Sequence, residues 1–336
     1  MRNFLLKLFG CFLLLTAPFF GMAQKTDKVS LKNGDILTGE IKKLKFGKLS
    51  FDMTGPGMID IKWEEIVKIR SDKKFQVTMR KGEVLITSID SLFFNSKHVS
   101  LDDIVEIIQI KDQFLKRLDG NVDLGLNYSK SSDIFQFNFG SSITYRRPNA
   151  ETNLKVNSVI SSKSTDSFVS KKQDATLEHS WTLQKRYYVQ GTVGWQQNTQ
   201  LGLYNRFALS GVGGKVIFND NQQRLVTGAG LSFNIEESNK NIGYVKNMEA
   251  LATIQFKKFR YSSPKISLDT KYTIYPNITD WGRVRMDLQF NLKYEIFKDF
   301  NIGLNFYDLY DNRPPSTAAS KNDFGVNFTV GYEFGK

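Results

Sequence analysis

Apolar and polar residues alternate almost without interruption in the last third of this chain. Between residues 283 and 296 every even position is apolar and every odd position is polar, and residues 324–334 alternate in the same way. Side chains of a β-strand point to opposite faces with period two, so each stretch predicts a strand with one apolar and one polar face. Because a strand crosses a bilayer with about ten tilted residues, these strands predict a membrane-spanning β-barrel.

Twelve stretches carry strand patterns in the region from residue 112 to residue 336. They are residues 122–128, 135–145, 154–160, 175–183, 187–195, 207–217, 225–235, 248–256, 266–274, 284–296, 302–306 and 324–334. The connections alternate between short ones (184–186, 219–221, 298–300) and long polar ones (161–172, 236–247, 308–323). Outer-membrane barrels have short periplasmic turns and long outer loops. The fold class predicted is therefore all-β, a transmembrane antiparallel β-barrel of about twelve strands in the outer membrane.

The charged row of the strand near Val284 is predicted to face the interior. A lysine or arginine on the lipid face near the midplane costs ~2–4 kcal/mol, and the row holds several charges. The residues that we expect to line the lumen are Arg283, Arg285, Asp287, Lys293 and Glu295. Two roles stay open for this row, because it could tune a pore or form a closed salt-bridge network in a narrow barrel.

The first 23 residues read as a secretory signal peptide. Arg2 and Lys7 precede an apolar run at residues 11–20, and Gly21 and Ala23 have the spacing of a cleavage site. A lipoprotein reading of Cys11 fits less well, since the apolar run follows the cysteine. Cleavage after Ala23 would leave no cysteine, and therefore no disulfide or thiol chemistry.

Charge narrows the range of partners. The chain has 46 basic and 34 acidic side chains, so removal of the two basic residues of the signal leaves a net charge of +10. An exported chain would rarely meet nucleic acid, and none is expected as a partner. Outer-membrane lipid head groups or negatively charged solutes fit better. An incidental excess of surface lysine is the alternative.

Residues 25–111 predict a small periplasmic β-module with an internal repeat. Residues 33–38 match residues 81–86, and residues 63–69 match residues 101–107, which gives two units of about 40 residues. Asn33 and Gly34 form a strong hairpin signal. Each unit is predicted to be a bent SH3-like or Sm-like structure, and the two are expected to pack together, because neither is large enough to be stable alone.

The function of the module is open at this level. The aromatic residues Phe46, Phe51 and Trp63, with lysines 42, 43, 45 and 48, could present a nucleic-acid surface. The favoured interpretation is that these aromatics are core and the lysines are a solvated face. We expect the module to dock on the barrel mouth or on a periplasmic protein partner.

Glycine-rich strand motifs carry a family resemblance. They are residues 211–214 (GVGG), 224–225 (RL), 228–233 (GAGLSF) and, most closely, 323–334 (DFGVNFTVGYEF). With them the barrel region resembles an uncharacterised family described as salt-induced outer-membrane proteins. The resemblance implies location and an osmotic response, but no activity and no binding residues. Phe334 would address the barrel-insertion machinery, with Gly335 and Lys336 tolerated after it.

Catalytic and cofactor motifs are sparse. The histidines are His98 and His179, and strand geometry puts His179 on the lipid face with Trp181, opposite Ser180. We find no metal-ligand spacing and no phosphate loop, so no cofactor and no catalytic residue is predicted. The prediction is a non-enzymatic envelope protein, either a narrow channel for small solutes or a structural barrel. A barrel enzyme acting on lipid and a secreted soluble β-protein are the alternatives.

Overall fold

A computed structural model describes residues 25–95, 99–111, 113–131, 133–163, 169–199, 203–237, 243–297, 300–314 and 321–332. These residues form two antiparallel β-sheets, one of eight strands and one of twelve. The signal peptide predicted at residues 1–23, His98 and Phe334 lie outside the described residues. Within the described ranges no helix is both long and apolar enough to cross a membrane.

The smaller sheet, which we call the module, contains β1 to β8. Their bounds are β1 Asp27–Leu31, β2 Ile36–Lys45, β3 Lys48–Met53, β4 Gly57–Lys62, β5 Ile66–Arg70, β6 Lys74–Met79, β7 Val84–Ser88 and β8 Ile104–Gln109. A short helix, Ile89–Asn95, and two 3-10 turns, Trp63–Glu65 and Leu101–Asp103, complete it.

The internal repeat is visible in how the strands pair. In the first copy β1 forms a hairpin with β2 and also pairs with β5; in the second copy β6 forms a hairpin with β7 and also pairs with β8. Gly34 and Gly82 occupy matching turns at φ of 94° and 87°, which favour glycine. The copies differ in one insertion, because β3 and β4 stand where the second copy has its helix.

One hydrophobic core serves both copies. Phe51 from the first copy and Phe75 from the second are fully buried in the same cluster. Trp63 is also buried, and its Nε1 donates a hydrogen bond to the carbonyl oxygen of Leu101, 3.0 Å away. β2 pairs with β8 and makes the sheet continuous. Phe51 and Trp63 are therefore core residues, as the favoured interpretation predicts.

The large sheet contains β9 to β20 in sequential order, each strand antiparallel to its neighbours. Their bounds are β9 Leu118–Ser129, β10 Ile134–Arg147, β11 Ala150–Lys163, β12 Val169–Thr182, β13 Tyr187–Asn198, β14 Leu203–Asn219, β15 Gln223–Glu237, β16 Tyr244–Arg260, β17 Ile266–Pro276, β18 Val284–Phe297, β19 Phe300–Asp311 and β20 Asn322–Tyr332. All twelve predicted strands are confirmed. The flanking strands extend into the stretches expected to be long connections at 161–172, 236–247 and 308–323: β11 continues to Lys163, β15 to Glu237 and β19 to Asp311.

Strand register gives the large sheet one apolar and one polar face. Residues paired directly across antiparallel strands share a face. Leu288 pairs with Tyr272, which pairs with Ile254, whereas Asp287 pairs with Thr273. Many apolar side chains on the first face are solvent-exposed, among them Leu209 at 58%. The alternation predicted from the sequence is therefore present.

The two edge strands of the large sheet are β9 and β20. Each pairs with a single neighbour, and no ladder among the described residues joins one to the other. The structure thus contains a twelve-stranded antiparallel sheet.

The module lies at one end of the large sheet. Asn149, in the β10–β11 turn, donates its backbone N–H to Gln76 Oε1 at 2.7 Å, and Asn221, in the β14–β15 turn, donates to the carbonyl oxygen of Ile104 at 3.0 Å. The Phe46 ring packs on Phe259 near the β16–β17 turn, with centroids 4.8 Å apart. Phe46 is therefore an interface residue and not core. The β10–β11 and β14–β15 turns have only two and three residues, and we call this side of the large sheet the short-turn end.

Candidate functional site

A buried ionic network lies on the polar face of the large sheet, at the end opposite the module. Arg283, just before β18, contacts Asp311 of β19 at 2.7 Å and Glu236 of β15 at 3.4 Å. Glu236 also pairs with Arg206 of β14 at 3.0 Å. Glu236 and Arg283 are 1% and 4% exposed. The contact between Arg283 and Glu236 reaches across β16 and β17, so the sheet is curved about its polar face.

A second part of the network is a chain of amides ending on a carboxylate. Arg285 Nε donates to Glu249 Oε1 at 2.8 Å, and its Nη2 donates to the other oxygen. Asn234 Nδ2 also donates to Glu249, at 2.9 Å, and Asn234 Oδ1 accepts from Asn247 Nδ2 at 3.2 Å. Asn277 Nδ2 donates in turn to Asn247 Oδ1 at 3.1 Å. Glu249 is fully buried, and its partners satisfy both of its oxygens.

The five residues predicted to line the lumen fall into separate groups. Arg283 and Arg285 join the ionic network, and Asp287 lines a cavity beside it. Lys293 is exposed on the same face. Glu295 lies at the short-turn end, 1% exposed, with the ammonium of Lys265 3.0 Å away. Arg283 and Arg285 thus form salt bridges, and both roles left open by the sequence remain predictions.

Three cavities lie in sequence along the polar face. The first, of about 570 Å³, lies between the module and the short-turn end, and the second, of about 480 Å³, lies beneath the module. Ser180, Thr182 and Arg224 line both. The third, of about 610 Å³, lies beside the ionic network, and Thr192 and Tyr275 line both it and the second cavity. The cavities therefore adjoin from one end of the sheet to the other.

Tyr275 stands between the second and third cavities. Its ring is held by Arg285, whose guanidinium carbon lies 4.8 Å from the ring centroid, in the distance range of a cation–π contact. Since Arg285 is itself fixed by Glu249, the ionic network positions this aromatic side chain.

The comparison with known families bears on this same sheet. The family model described as "Protein of unknown function, DUF481" matches residues 122–334. The chain belongs to this family. The DUF481 match covers β9 to β20 almost completely and excludes the module. The predicted membership of an uncharacterised family is confirmed, and the match carries no salt-related description. No curated protein matches the chain.

Within the DUF481 segment, the histidine considered for catalysis has a structural environment. His179 Nδ1 lies 2.6 Å from Thr152 Oγ1, and its ring packs edge-on against Trp181 with centroids 4.0 Å apart. Ser180 lines the cavities of the polar face, and so lies on the other side of the sheet. Among the described residues no group of three or more His, Cys, Asp or Glu side chains could hold a metal ion.

Sequence reasoning missed two polar partners of the network, one acidic and one an amide. Glu236 and Asn247 fall in a stretch that was predicted to be a long polar loop, yet they lie at the ends of β15 and β16 with buried side chains. The signal that could have found them is the continuing period-two alternation: Asn234 and Glu236 lead into the stretch, and Asn247 and Glu249 lead out of it.

Proposed function

We propose that this chain is a non-enzymatic outer-membrane β-barrel protein that forms a narrow channel for small polar solutes. The observation that carries the proposal is the row of three adjoining cavities along the polar face, combined with an apolar opposite face. A barrel with that apolar face toward lipid would enclose a continuous polar route. The ionic network and Tyr275 would narrow this route to the size of small solutes.

The cost of leaving two edge strands unpaired in hydrocarbon supports closure of the sheet into a barrel. β9 and β20 are 12 and 11 residues long and run in opposite directions. Both expose apolar residues on the same face, such as Leu124 at 64% and Phe328 at 60%. In hydrocarbon an unpaired backbone N–H or C=O costs several kcal/mol, so two free edges of this length are incompatible with a bilayer unless they pair.

Cysteine cross-linking tests closure. In a Cys11→Ala background, Leu124→Cys is combined in turn with Val326→Cys, Phe328→Cys or Val330→Cys, and membranes are treated with a mild oxidant. At least one pair should form a disulfide if β9 and β20 are neighbours. The matched control pairs Leu124→Cys with Leu288→Cys, an apolar-face position of β18. Cross-linking no stronger than in this control would rule out closure.

Two further measurements address location and conduction. The protein should leave membranes only with detergent, and release by salt alone would contradict a membrane-spanning sheet. In planar bilayers the purified protein should give small ion steps that change in Arg285→Glu, since this change reverses a charge on the route.

A structural envelope barrel with a docking module is the second candidate. It is favoured by the position of the module, which contacts several short turns at one end of the sheet. If neither the natural chain nor Arg285→Glu gives ion steps in planar bilayers, this candidate is favoured over the channel.

A further inference from the structure

The cavity between the module and the large sheet has walls from both. Gln76 of β6 and Asn149 of the β10–β11 turn are hydrogen-bonded to each other at 2.7 Å, and both line it. Its volume of about 570 Å³ is within the range of small-molecule pockets, roughly 300–1,000 Å³. Because two separate parts of the fold enclose it, a ligand there would contact both.

The lining of this cavity is strongly cationic. Eight basic and three acidic side chains line it, an excess of five positive charges. The acidic groups are already engaged: Glu106 lies 3.7 Å from the ammonium of Lys45, and Arg146 contacts Asp119 at 2.7 Å and Glu151 at 2.8 Å. All three carboxylates of the cavity therefore have an ion-pair partner, and these pairs involve two of its eight bases.

Five of the remaining bases have no carboxylate partner in the part of the chain that the structure describes. They are Lys43, Lys111, Arg117, Arg147 and Arg224. Arg117 donates to a backbone carbonyl, that of Lys111, and Arg147 donates to the Tyr145 hydroxyl at 3.1 Å. These acceptors are neutral, so the guanidinium charges are not compensated.

Arg224 carries the most specific signal. Its Nε is shielded from solvent and has no hydrogen-bond partner among the described residues. Arg224 lines both the first and the second cavity, so its side chain lies where they meet. A buried donor without an acceptor is unusual in a folded protein, and an oxygen of a bound anion would satisfy it.

We propose that this cavity binds a small anion that carries a phosphate-type group. Several guanidinium groups around one cavity favour such a group, because arginine binds it with two parallel hydrogen bonds. The phosphate belongs either to a free solute or to a lipid head group. This site rests on the proposed channel function, because it lies at the module end of the polar route proposed there. It adds a binding site for an anion to that function.

Titration calorimetry on the full chain in neutral detergent micelles tests the site. One arm uses pyrophosphate and the other a short-chain phosphatidic acid. We expect one of them to bind in a 1:1 ratio, and Arg224→Gln to weaken that binding about tenfold or more, as expected for one lost charged hydrogen bond. Arg224→Lys should retain part of the affinity. Arg70→Gln is the matched control, since Arg70 is exposed on β5 and lines none of the cavities.

Each outcome decides the proposal. Binding of pyrophosphate assigns a free solute, and binding of phosphatidic acid alone assigns a head group. Binding of neither compound, or an equal loss in Arg70→Gln, overturns the site. If Arg224→Gln does not fold, Lys43→Gln combined with Arg147→Gln replaces it. If the protein binds the anion but gives no ion steps in planar bilayers, only the channel proposal is overturned. If it conducts ions but binds neither compound, only the anion site is overturned.

Discussion

Replacing Glu249 with glutamine removes one negative charge from the interior of the large sheet and little else. The Glu249 carboxylate is fully buried and accepts two hydrogen bonds from Arg285 and one from Asn234. Glutamine has the same size and its carbonyl oxygen can still accept from Asn234. The loss of stability in Glu249→Gln therefore measures the effect of removing the charge of Glu249, with little contribution from packing.

The magnitude follows from the charge balance of the network. It contains three arginines and three carboxylates, namely Arg206, Arg283 and Arg285 with Glu236, Glu249 and Asp311. The substitution leaves three positive charges with two negative ones. Removal of one partner from a buried ion pair costs about 3–5 kcal/mol. The side chain of Arg285 keeps 18% exposure, so we expect a loss near the lower limit, about 3 kcal/mol.

Urea unfolding in lipid vesicles measures this loss. The matched control is Glu237→Gln, because Glu237 is the next residue in β15 and accepts a hydrogen bond from the neutral side chain of Asn205 at 2.8 Å. The control should cost about 1 kcal/mol or less. The double change Glu249→Gln with Arg285→Gln should recover part of the loss, since no lone charge remains. A Glu249→Gln variant no less stable than the control would refute the water-excluded network.

Three further predictions concern the glycines, the route and the module. Gly230→Ala would place a methyl carbon 1.9 Å from a backbone oxygen of Gly211, so it should destabilise by about 3 kcal/mol in the same assay, whereas Gly211→Ala, with open space around it, should change stability by less than about 0.5 kcal/mol. Tyr275→Ala should increase the ion steps in planar bilayers, because it removes the ring between two cavities; unchanged steps would contradict its place on the route. Burial raises the pKa of Glu40, but hydrogen bonds from Lys42 and Gln109 and the charges of Lys42 and Lys73 outweigh it and hold the pKa below its ordinary value of 4.5. The stability that ionised Glu40 contributes is therefore present above pH 4.5 and is lost as the pH falls through the lowered pKa. Hydrogen exchange in β2 and β8 should accelerate over that pH range, and Glu40→Gln should remove this pH dependence.

The strands of the large sheet could be predicted because their signal is local. Alternation with period two depends only on neighbouring residues, and it correctly assigned the polar face of Arg283, Arg285 and Asp287. The ends of the strands could not be predicted equally well. Polar residues that face a polar interior look like loop residues in a sequence, which is why Glu236 and Asn247 were predicted to lie in a connection.

The ionic network depends on information that no local pattern contains. Arg283 and Glu236 are 47 residues apart and meet only because the sheet curves across two intervening strands. The position of the module on the large sheet also depends on a long-range contact, since Phe46 and Phe259 belong to different sheets. The sequence favoured a core position for Phe46, and only the packing of the two sheets reveals that it lies at their interface.

The ionic network and the module contact different strands of the large sheet. The stability of the sheet and its proposed closure should therefore depend on different contacts. The network connects strands β14, β15, β16, β18 and β19, and the hydrogen bonds from the module reach turns between β10 and β15. None of the ionic-network or module contacts named above, all between described residues, involves β20. The pairing of β20 with β9 that we propose would then depend on the bilayer, where unpaired backbone groups are most costly. Loss of the network in Glu249→Gln should therefore lower stability while leaving the cross-link between Leu124→Cys and β20 intact.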